Sequence, residues 1–457
     1  MKKWLILISA LGGFLSCTNN PETFQLAKEL LKPKPVVEEE PPPPANEPPP
    51  SEDPNAALLI KKRRSIWLVG GSKATGTAAN PPAYAVAVGA FARELDYYDP
   101  VTNTWGTVYP STHTGCGTAG VDCYSGNFIP VLGACYAGYQ GKIYVAGGLQ
   151  ENNTFANAAP TNRLQIYDIA QNRWLDANET PNMPAGVAAA ACEQRGTKLY
   201  VFSGTDQNLN HSGNPIGSTA GQTILQIYDF VENAWSSQAS AATGGIPPAT
   251  AAYEACIVSE GHIMYRINGK INLTGYSAAA NHGIFNFFLA NYAVNAPPAH
   301  ANYRAVGSSC LYLPATSNVP ARIVMVGGIG NTAGTPALTG TNRYLTPLSN
   351  TTAATAIIMN AVFVYYAPFN VAPNAGLTNL PLARSHGALV VKNNILYYFG
   401  GNSIFAISSA NPNPTPTKTV YAADVEIPVW LAKIPFTNTN IPLMPTARWG
   451  HGAVNVE

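Results

Sequence analysis

The sequence predicts an all-β chain assembled from repeats, and three observations carry that expectation. "LQIYDIAQNRW" at Leu164 returns as "LQIYDFVENAW" at Leu225, and a shorter version, "YYDPVTNTW", ends at Trp105. Short apolar runs closing on glycine precede them: "IWLVGG" at Ile66, "KIYVAGG" at Lys142 and "KLYVFSG" at Lys198, with "RIVMVGG" at Arg322 and "ILYYFGG" at Ile395 further on. Helical periodicity is absent, and 40 glycines and 38 prolines interrupt the chain throughout.

Each element has a physical reason. Tyr98, Tyr167 and Tyr228 open the pattern Tyr-Asp-x-x-x-Asn-x-Trp, which closes on Trp105, Trp174 and Trp235. Asp and Asn suit a tight hairpin turn, and the aromatic residues suit the strands on either side of it. The double glycine closing the preceding strand marks a backbone turn that a side chain would obstruct. Ahead of that strand comes another, rich in small residues: "GACYAG" at Gly133, "AAACEQ" at Ala189, "YEACIV" at Tyr253, "SSCLYL" at Ser308 and "GALVV" at Gly387.

In the double glycine after a strand, followed by a spaced Tyr and Trp, the chain resembles the kelch repeat family. The likeness covers most of Ile66 to Glu457 and is specific in the first three units and weaker afterwards; the fourth unit has "MYRINGK" in place of the double glycine, and the sixth has Ala423 where tyrosine belongs. The resemblance implies a β-propeller, in which the first strand of every blade converges near the axis and has room only for small side chains. The first unit begins at "IWLVGG" with no small-residue strand before it, while the chain finishes on "ARWGHGAVNVE", a first strand with no second. Paired, these two would complete one blade and leave no free edge. The expected fold is therefore a six-bladed kelch-like propeller over residues 66–457, closed by its N- and C-terminal strands. A length of 457 residues would otherwise suggest several domains.

Ahead of the repeats, "MKKWLILISALGGFLSC" has the order of a secretory signal over residues 1–16, with an apolar run too short to span a bilayer. "FLSC" resembles a bacterial lipobox, which implies lipidation of Cys17. Residues 17–65, rich in Pro and Glu, have little to bury and are expected to form a disordered tether. As polyproline II, its proline-rich part would reach about 70 Å. Its closing "KKRR" is a solvated cap, or a patch for an anionic surface.

The chain carries a formal charge of +1 with 11% charged residues, which lacks the basic footprint of nucleic-acid binding. Cys116 and Cys123, in the glycine-rich "GCGTAGVDC", are expected to form a disulfide in an exported protein. Cys135, Cys192, Cys256 and Cys310 fall one per unit on small-residue strands and read first as buried apolar filler, with inter-blade disulfides and a metal as alternatives. His386 and His451 read as packing residues. No Cys/His spacing, Gly-rich loop before a helix or Gly-x-Ser-x-Gly points to a metal, a cofactor or a catalytic nucleophile.

Arg304, Arg384 and Arg448 each stand just ahead of a small-residue strand, in neighbouring blades if the ring closes. Their forked guanidiniums suit carboxylates, so they are the expected ligand-binding residues for acidic groups; the alternative is that they tie down inter-blade carbonyls. The expected function is recognition or scaffolding: a monomeric lipoprotein of the bacterial envelope, at the outer membrane or cell surface. It would bind a protein or glycan through one propeller face and touch the membrane only through its anchor. A kelch-type carbohydrate-active enzyme such as a sugar-acid mutarotase, or a structural envelope protein without a ligand, are the alternatives.

Overall fold

The computed structural model describes residues 54–73, 91–108, 128–150, 159–206, 223–238, 254–260, 263–267, 269, 282–286, 291–295, 307–315, 322–331, 356–358, 362–366, 370–371, 380, 382, 384–402, 415–425 and 440–456. The chain divides into two compact units, Met1–Asp53 and Pro54–Glu457, and the described residues all belong to the second. Residues 1–16 with Cys17, Cys116 and Cys123, and Arg304 lie outside them.

Among the described residues, eight antiparallel sheets are seen: two small ones, of three and two short strands, and six larger ones, numbered here in chain order. Sheet I joins Gly452–Val454, Ile66–Val69, Leu95–Asp99 and Thr104–Val108. Sheet II holds Cys135–Tyr139, Lys142–Ala146, Leu164–Asp168 and Arg173–Trp174; sheet III holds Ala191–Arg195, Lys198–Phe202, Leu225–Asp229 and Ala234–Gln238. Sheet IV comprises Cys256–Glu260, Ile263–Ile267, His282–Asn286 and Asn291–Asn295; sheet V comprises Ser309–Leu313, Arg322–Val326, Val362–Tyr366 and Asn370–Val371. Sheet VI shows Ala388–Lys392, Ile395–Phe399 and Val420–Asp424.

The sheets take a propeller arrangement. Each first strand lies beside the first strand of the next sheet, from I to VI, and that of sheet VI lies beside that of sheet I. In sheet I the first strand comes from the far end of the chain: Trp67 pairs with Val454, Leu68 with Ala453 and Val69 with Gly452. The core fills the spaces between sheets. Trp67 and Val69 bury against Ile143, Val145 and Tyr167 of sheet II, while Ile66 and Leu68 bury against Tyr397 and Phe399 of sheet VI. This is why the strand Ile66–Val69 is apolar at every position: both of its faces are covered.

The repeated sentence is a turn with its fastenings. Tyr98, Tyr167 and Tyr228 donate from their hydroxyls to Oδ1 of Asn103, Asn172 and Asn233, at 2.7, 2.8 and 2.6 Å. Those asparagines sit at φ of 53°, 53° and 52°, a left-handed conformation that Asn tolerates better than most residues. The aspartate caps the same turn, Asp99 Oδ1 accepting from Val101 N at 3.1 Å and Asp229 Oδ1 from Val231 N at 2.9 Å. The tryptophans Trp105 and Trp235 donate from Nε1 to the carbonyls of Pro442 and Pro181, at 2.9 and 3.0 Å. Trp174 instead stacks on Phe128 with ring centroids 4.1 Å apart.

The double glycine is equally specific. The second glycine donates to a carbonyl just ahead of the next sheet: Gly71 N to Val131 O, Gly148 N to Val187 O, Gly328 N to Arg384 O and Gly401 N to Arg448 O, at 2.8 to 3.0 Å. A Cβ on the first glycine would meet that same carbonyl, at 2.6 Å for Gly147 and 2.5 Å for Gly327, both at positive φ. Glycine here lets one sheet clasp the next.

Two expectations are corrected. The tether was expected to run to residue 65, but Pro54–Arg64 is an α-helix. Proline suits a first helical position, and Ala, Leu, Lys and Arg propagate the turn. Its basic end is fastened rather than simply solvated. Arg64 donates twice to Asp99, at 3.1 and 2.7 Å, and Lys62 Nζ donates to Asn172 Oδ1 at 2.8 Å. Nor are the four first-strand cysteines filler: Cys135 bonds to Cys192 and Cys256 to Cys310, with Cα atoms 5.6 and 5.8 Å apart. Both disulfides join first strands of adjacent sheets, II to III and IV to V.

Candidate functional site: the collar ahead of the first strands

Register places one residue of each sheet at an equivalent position, shortly before its first strand: Gly133, Ala189, Glu254, Gly307, His386 and Gly450. All six have left-handed backbones, with φ of 62°, 51°, 52°, 62°, 54° and 62°. They link to one another in a collar. Ala189 N donates to Gly133 O, Glu254 N to Ala189 O, His386 N to Gly307 O, Gly450 N to His386 O and Gly133 N to Gly450 O, at 2.7 to 3.1 Å. Three of the six are not glycine, and each holds a conformation that costs on the order of 1 kcal/mol or more.

Two of those three carry ionisable groups, and they meet. His386 Nε2 lies 3.8 Å from Glu254 Oε1, with the side chains 13% and 5% exposed. The imidazole leans across Gly307, where an added Cβ would lie 2.4 Å from Nε2. On its other side Nδ1 shares a hydrogen bond with Ser385 Oγ at 3.1 Å, and the ring stands edge-on to Trp449 at 5.7 Å. A carboxylate, an imidazole and a hydroxyl in series suggest a hydrolytic triad, but Ser385 is fully buried, beyond the reach of a substrate.

The expected binding arginines sit otherwise. Arg448 is 0% exposed, and Arg384 is 3% exposed. Arg448 pairs through Nη2 with Asp96, and through Nη1 with the carbonyls of Gly70 and Glu94 at 3.4 Å. Burial alone would raise the Glu94 carboxyl, but Arg448 and Lys73 nearby bring it below its ordinary value. Burial, with the charge of Arg448 beside it, holds the His451 imidazole well below its usual range and so neutral. Arg384 donates to Thr419 Oγ1 at 3.0 Å and Tyr421 OH at 3.4 Å, with its guanidinium 5.8 Å from the Tyr421 ring centre. Arg384 and Arg448 occupy the same register, two residues before the collar, whereas Arg304 in the sequence stands one residue further back from Gly307. Among the described residues no group of three or more His, Cys, Asp or Glu could hold a metal ion.

Glu254 was not singled out from the sequence, and His386 was read as packing. The available signal was a break in pattern: the position before a small-residue strand is glycine in "LGAC", "VGSS" and "WGHGA", but Glu in "YEAC" and His in "RSHGA".

This geometry defines an all-β protein of kelch-type propeller arrangement. A stretch of 98 residues is 30% identical to Kelch-like protein 36 of Bos taurus, covering 21% of this chain and 13% of that protein. A stretch of 99 residues is 31% identical to Kelch-like protein 36 of Mus musculus, with the same coverage. The chain thus spans about an eighth of the length of the curated relatives it matches. A solved structure described as "Structure of YjhT" is 15% identical with a TM-score of 0.49, over 76% of this chain and 91% of that one. No family profile matches the chain.

Proposed function

We propose that this is an envelope-anchored recognition protein: a closed six-bladed kelch-like propeller that binds a protein partner at the rim bearing the collar. Closure is supported by the ladder between Ile66–Val69 and Gly452–Val454, and by a collar whose links run from sheet VI through Gly450 into sheet II. One observation carries the binding face. The turn rim repeats its residues sheet after sheet for internal fastening, whereas the collar departs from glycine with ionisable groups at Glu254 and His386. The connections between second and third strands leave from this same rim, since Val69 at the end of a second strand faces Gly452 at the start of a first.

The anchor reading rests on "FLSC" at Cys17, and two disulfides suit an oxidising compartment. The helix Pro54–Arg64 is fastened to the turns at Asp99 and Asn172. Arg384 and Arg448 stiffen the rim from within, and the partner meets the collar. Immobilised protein retains a specific partner from envelope extract. Ala189→Arg, which crowds the collar, abolishes retention, while Val231→Arg on the turn rim leaves it intact; equal retention by both variants overturns the assignment of the face.

A second reading, a carbohydrate-active enzyme of the sugar-acid mutarotase kind, is favoured only by the proximity of Glu254 and His386, an acid and a base within reach of one ligand atom. Faster equilibration of freshly dissolved sugar acids, lost in Glu254→Gln, is its test.

A further inference from the structure

We propose that the turn rim at sheets I and II is a contact surface for an anionic lipid bilayer, meeting headgroups with Lys61, Lys62 and Arg63 and the apolar layer with Ile60 and Val101; the inference rests on the envelope part of the reading above. The helix Pro54–Arg64 sets the face. Leu59 packs against the core shared by sheets I and II, and Lys62 reaches Asn172, so this side of the helix meets the domain. Ala56, Ile60 and Arg63, at i, i+4 and i+7, form the opposite stripe and are exposed, Ile60 at 62%. Beside the helix end stands the turn of sheet I, which holds Arg64 through Asp99 and Lys61 through Thr104 and leaves Val101 65% exposed at its tip.

The charge on this face is not cancelled. Arg64 is matched by Asp99, but Lys61 and Lys62 donate to Thr104 and Asn172, which are neutral, and Arg63 has no ion pair among the described residues. Three cations are left over. Glu52 and Asp53 precede the helix in sequence, but its 11 residues put about 15 Å between its ends, beyond a screening length of about 8 Å.

An exposed isoleucine or valine alone needs no explanation. Apolar side chains on a turn tip and a helix stripe, interleaved with uncompensated cations, match a bilayer, which is apolar inside and anionic at its face. An acidic protein would satisfy the cations and gain little from Ile60 and Val101. The contact is peripheral, since a helix of 11 residues falls short of the roughly 20 that span hydrocarbon. The chain that carries "FLSC" enters the domain at this same rim. With Cys17 lipidated, that chain would keep the patch at high effective concentration beside the membrane, where weak contacts suffice.

A bimane dye placed by Ile60→Cys, Val101→Cys or Leu382→Cys reads the contact in the full-length protein, mixed with vesicles of phosphatidylcholine and phosphatidylglycerol that carry brominated acyl chains. All three positions are exposed, so the fold is kept. Quenching is expected at positions 60 and 101, and not at 382, just ahead of the collar. Half-quenching should need about a hundredfold more lipid when phosphatidylglycerol is left out, and at least about fivefold more in Arg63→Glu, since each cation beside an anionic surface is worth roughly fivefold. Dyes at 60 and 101 that stay unquenched, equal quenching at 382, or half-quenching unmoved by either change overturns the assignment. A blue shift that grows with protein concentration in the absence of vesicles also overturns it, giving the face to a second copy. Detergent partitioning that is lost in Cys17→Ser, with positions 60 and 101 unquenched, removes this inference alone. Quenching there in a protein that never partitions removes the anchor reading alone.

Discussion

The rim of turns and the rim of the collar lie at opposite ends of the same strands and follow different rules. At the turns, Tyr98, Tyr167 and Tyr228 meet Asn103, Asn172 and Asn233 in the same way each time, within a single sheet. At the collar, equivalent positions carry glycine, alanine, glutamate and histidine, and every bond crosses from one sheet to another. At the turn rim the Tyr–Asn fastening is local and repeated, with Trp105 and Trp235 reaching beyond it to the carbonyls of Pro442 and Pro181. The collar is shared, so damage there reaches its neighbours, and it is where chemical variety is concentrated.

Removing residues 448–457 tests this contrast most severely. The cut takes Gly450 from the collar and the Arg448 partner from buried Asp96, and it strips Val454 and Val456 from the core while leaving every described turn intact. No cooperative unfolding transition is expected on heating; an unchanged melting curve would show that the sheets hold without the collar. Next, Cys135→Ala with Cys192→Ala opens a link spanning 57 residues just below the collar, and should cost about 4 kcal/mol in chemical denaturation under oxidising conditions. A loss below about 1 kcal/mol would mean that the collar alone holds sheets II and III together.

Glu193, further down the first strand of sheet III, tests the same junctions by pH. Burial pushes its carboxyl up to about 7, against hydrogen bonds from Ser259, one of them from Oγ at 2.9 Å. The folded protein therefore keeps a proton that the unfolded chain releases near the ordinary value of 4.5. Stability is full below that value, falls as pH rises through the interval and levels off above about 7, a loss of about 3 kcal/mol. Glu193→Gln should flatten this slope in melting curves; an unchanged slope would assign it to other groups. Smallest are the changes confined to one position. Asn103→Ala loses a tyrosine contact and a left-handed asparagine, for about 1 to 2 kcal/mol. Ala189→Gly relaxes a strained collar position and should gain about 0.5 to 1 kcal/mol, and a loss instead would mean that no strain is held there.

The repeated residues made the strands, turns and glycine clasps legible, because each is fixed by contacts that recur at constant spacing. The disulfides were not: a cysteine that fills a narrow strand and one that bridges to the next strand look alike in sequence, and only the 5.6 Å approach of Cα atoms separates them. The helix Pro54–Arg64 hid behind proline-rich composition, although the run after Pro54 is made of helix formers. Arg384 and Arg448 were visible as a pattern, but burial against Asp96 and Tyr421 depends on neighbouring sheets. Glu254 and His386 come together only through the side chain that Gly307 lacks, a relation between three sheets that no local spacing records.

The strand Ile66–Val69 follows directly on the strapped helix and is flanked by Leu95–Asp99 on one edge and Gly452–Val454 on the other. A tug on the upstream chain first meets the Arg64 and Lys62 fastenings and then pulls this strand lengthwise between two partners. Ladders loaded in shear give way together rather than one rung at a time. The strand that follows the helix is therefore held along both of its edges before any other part of the domain is reached.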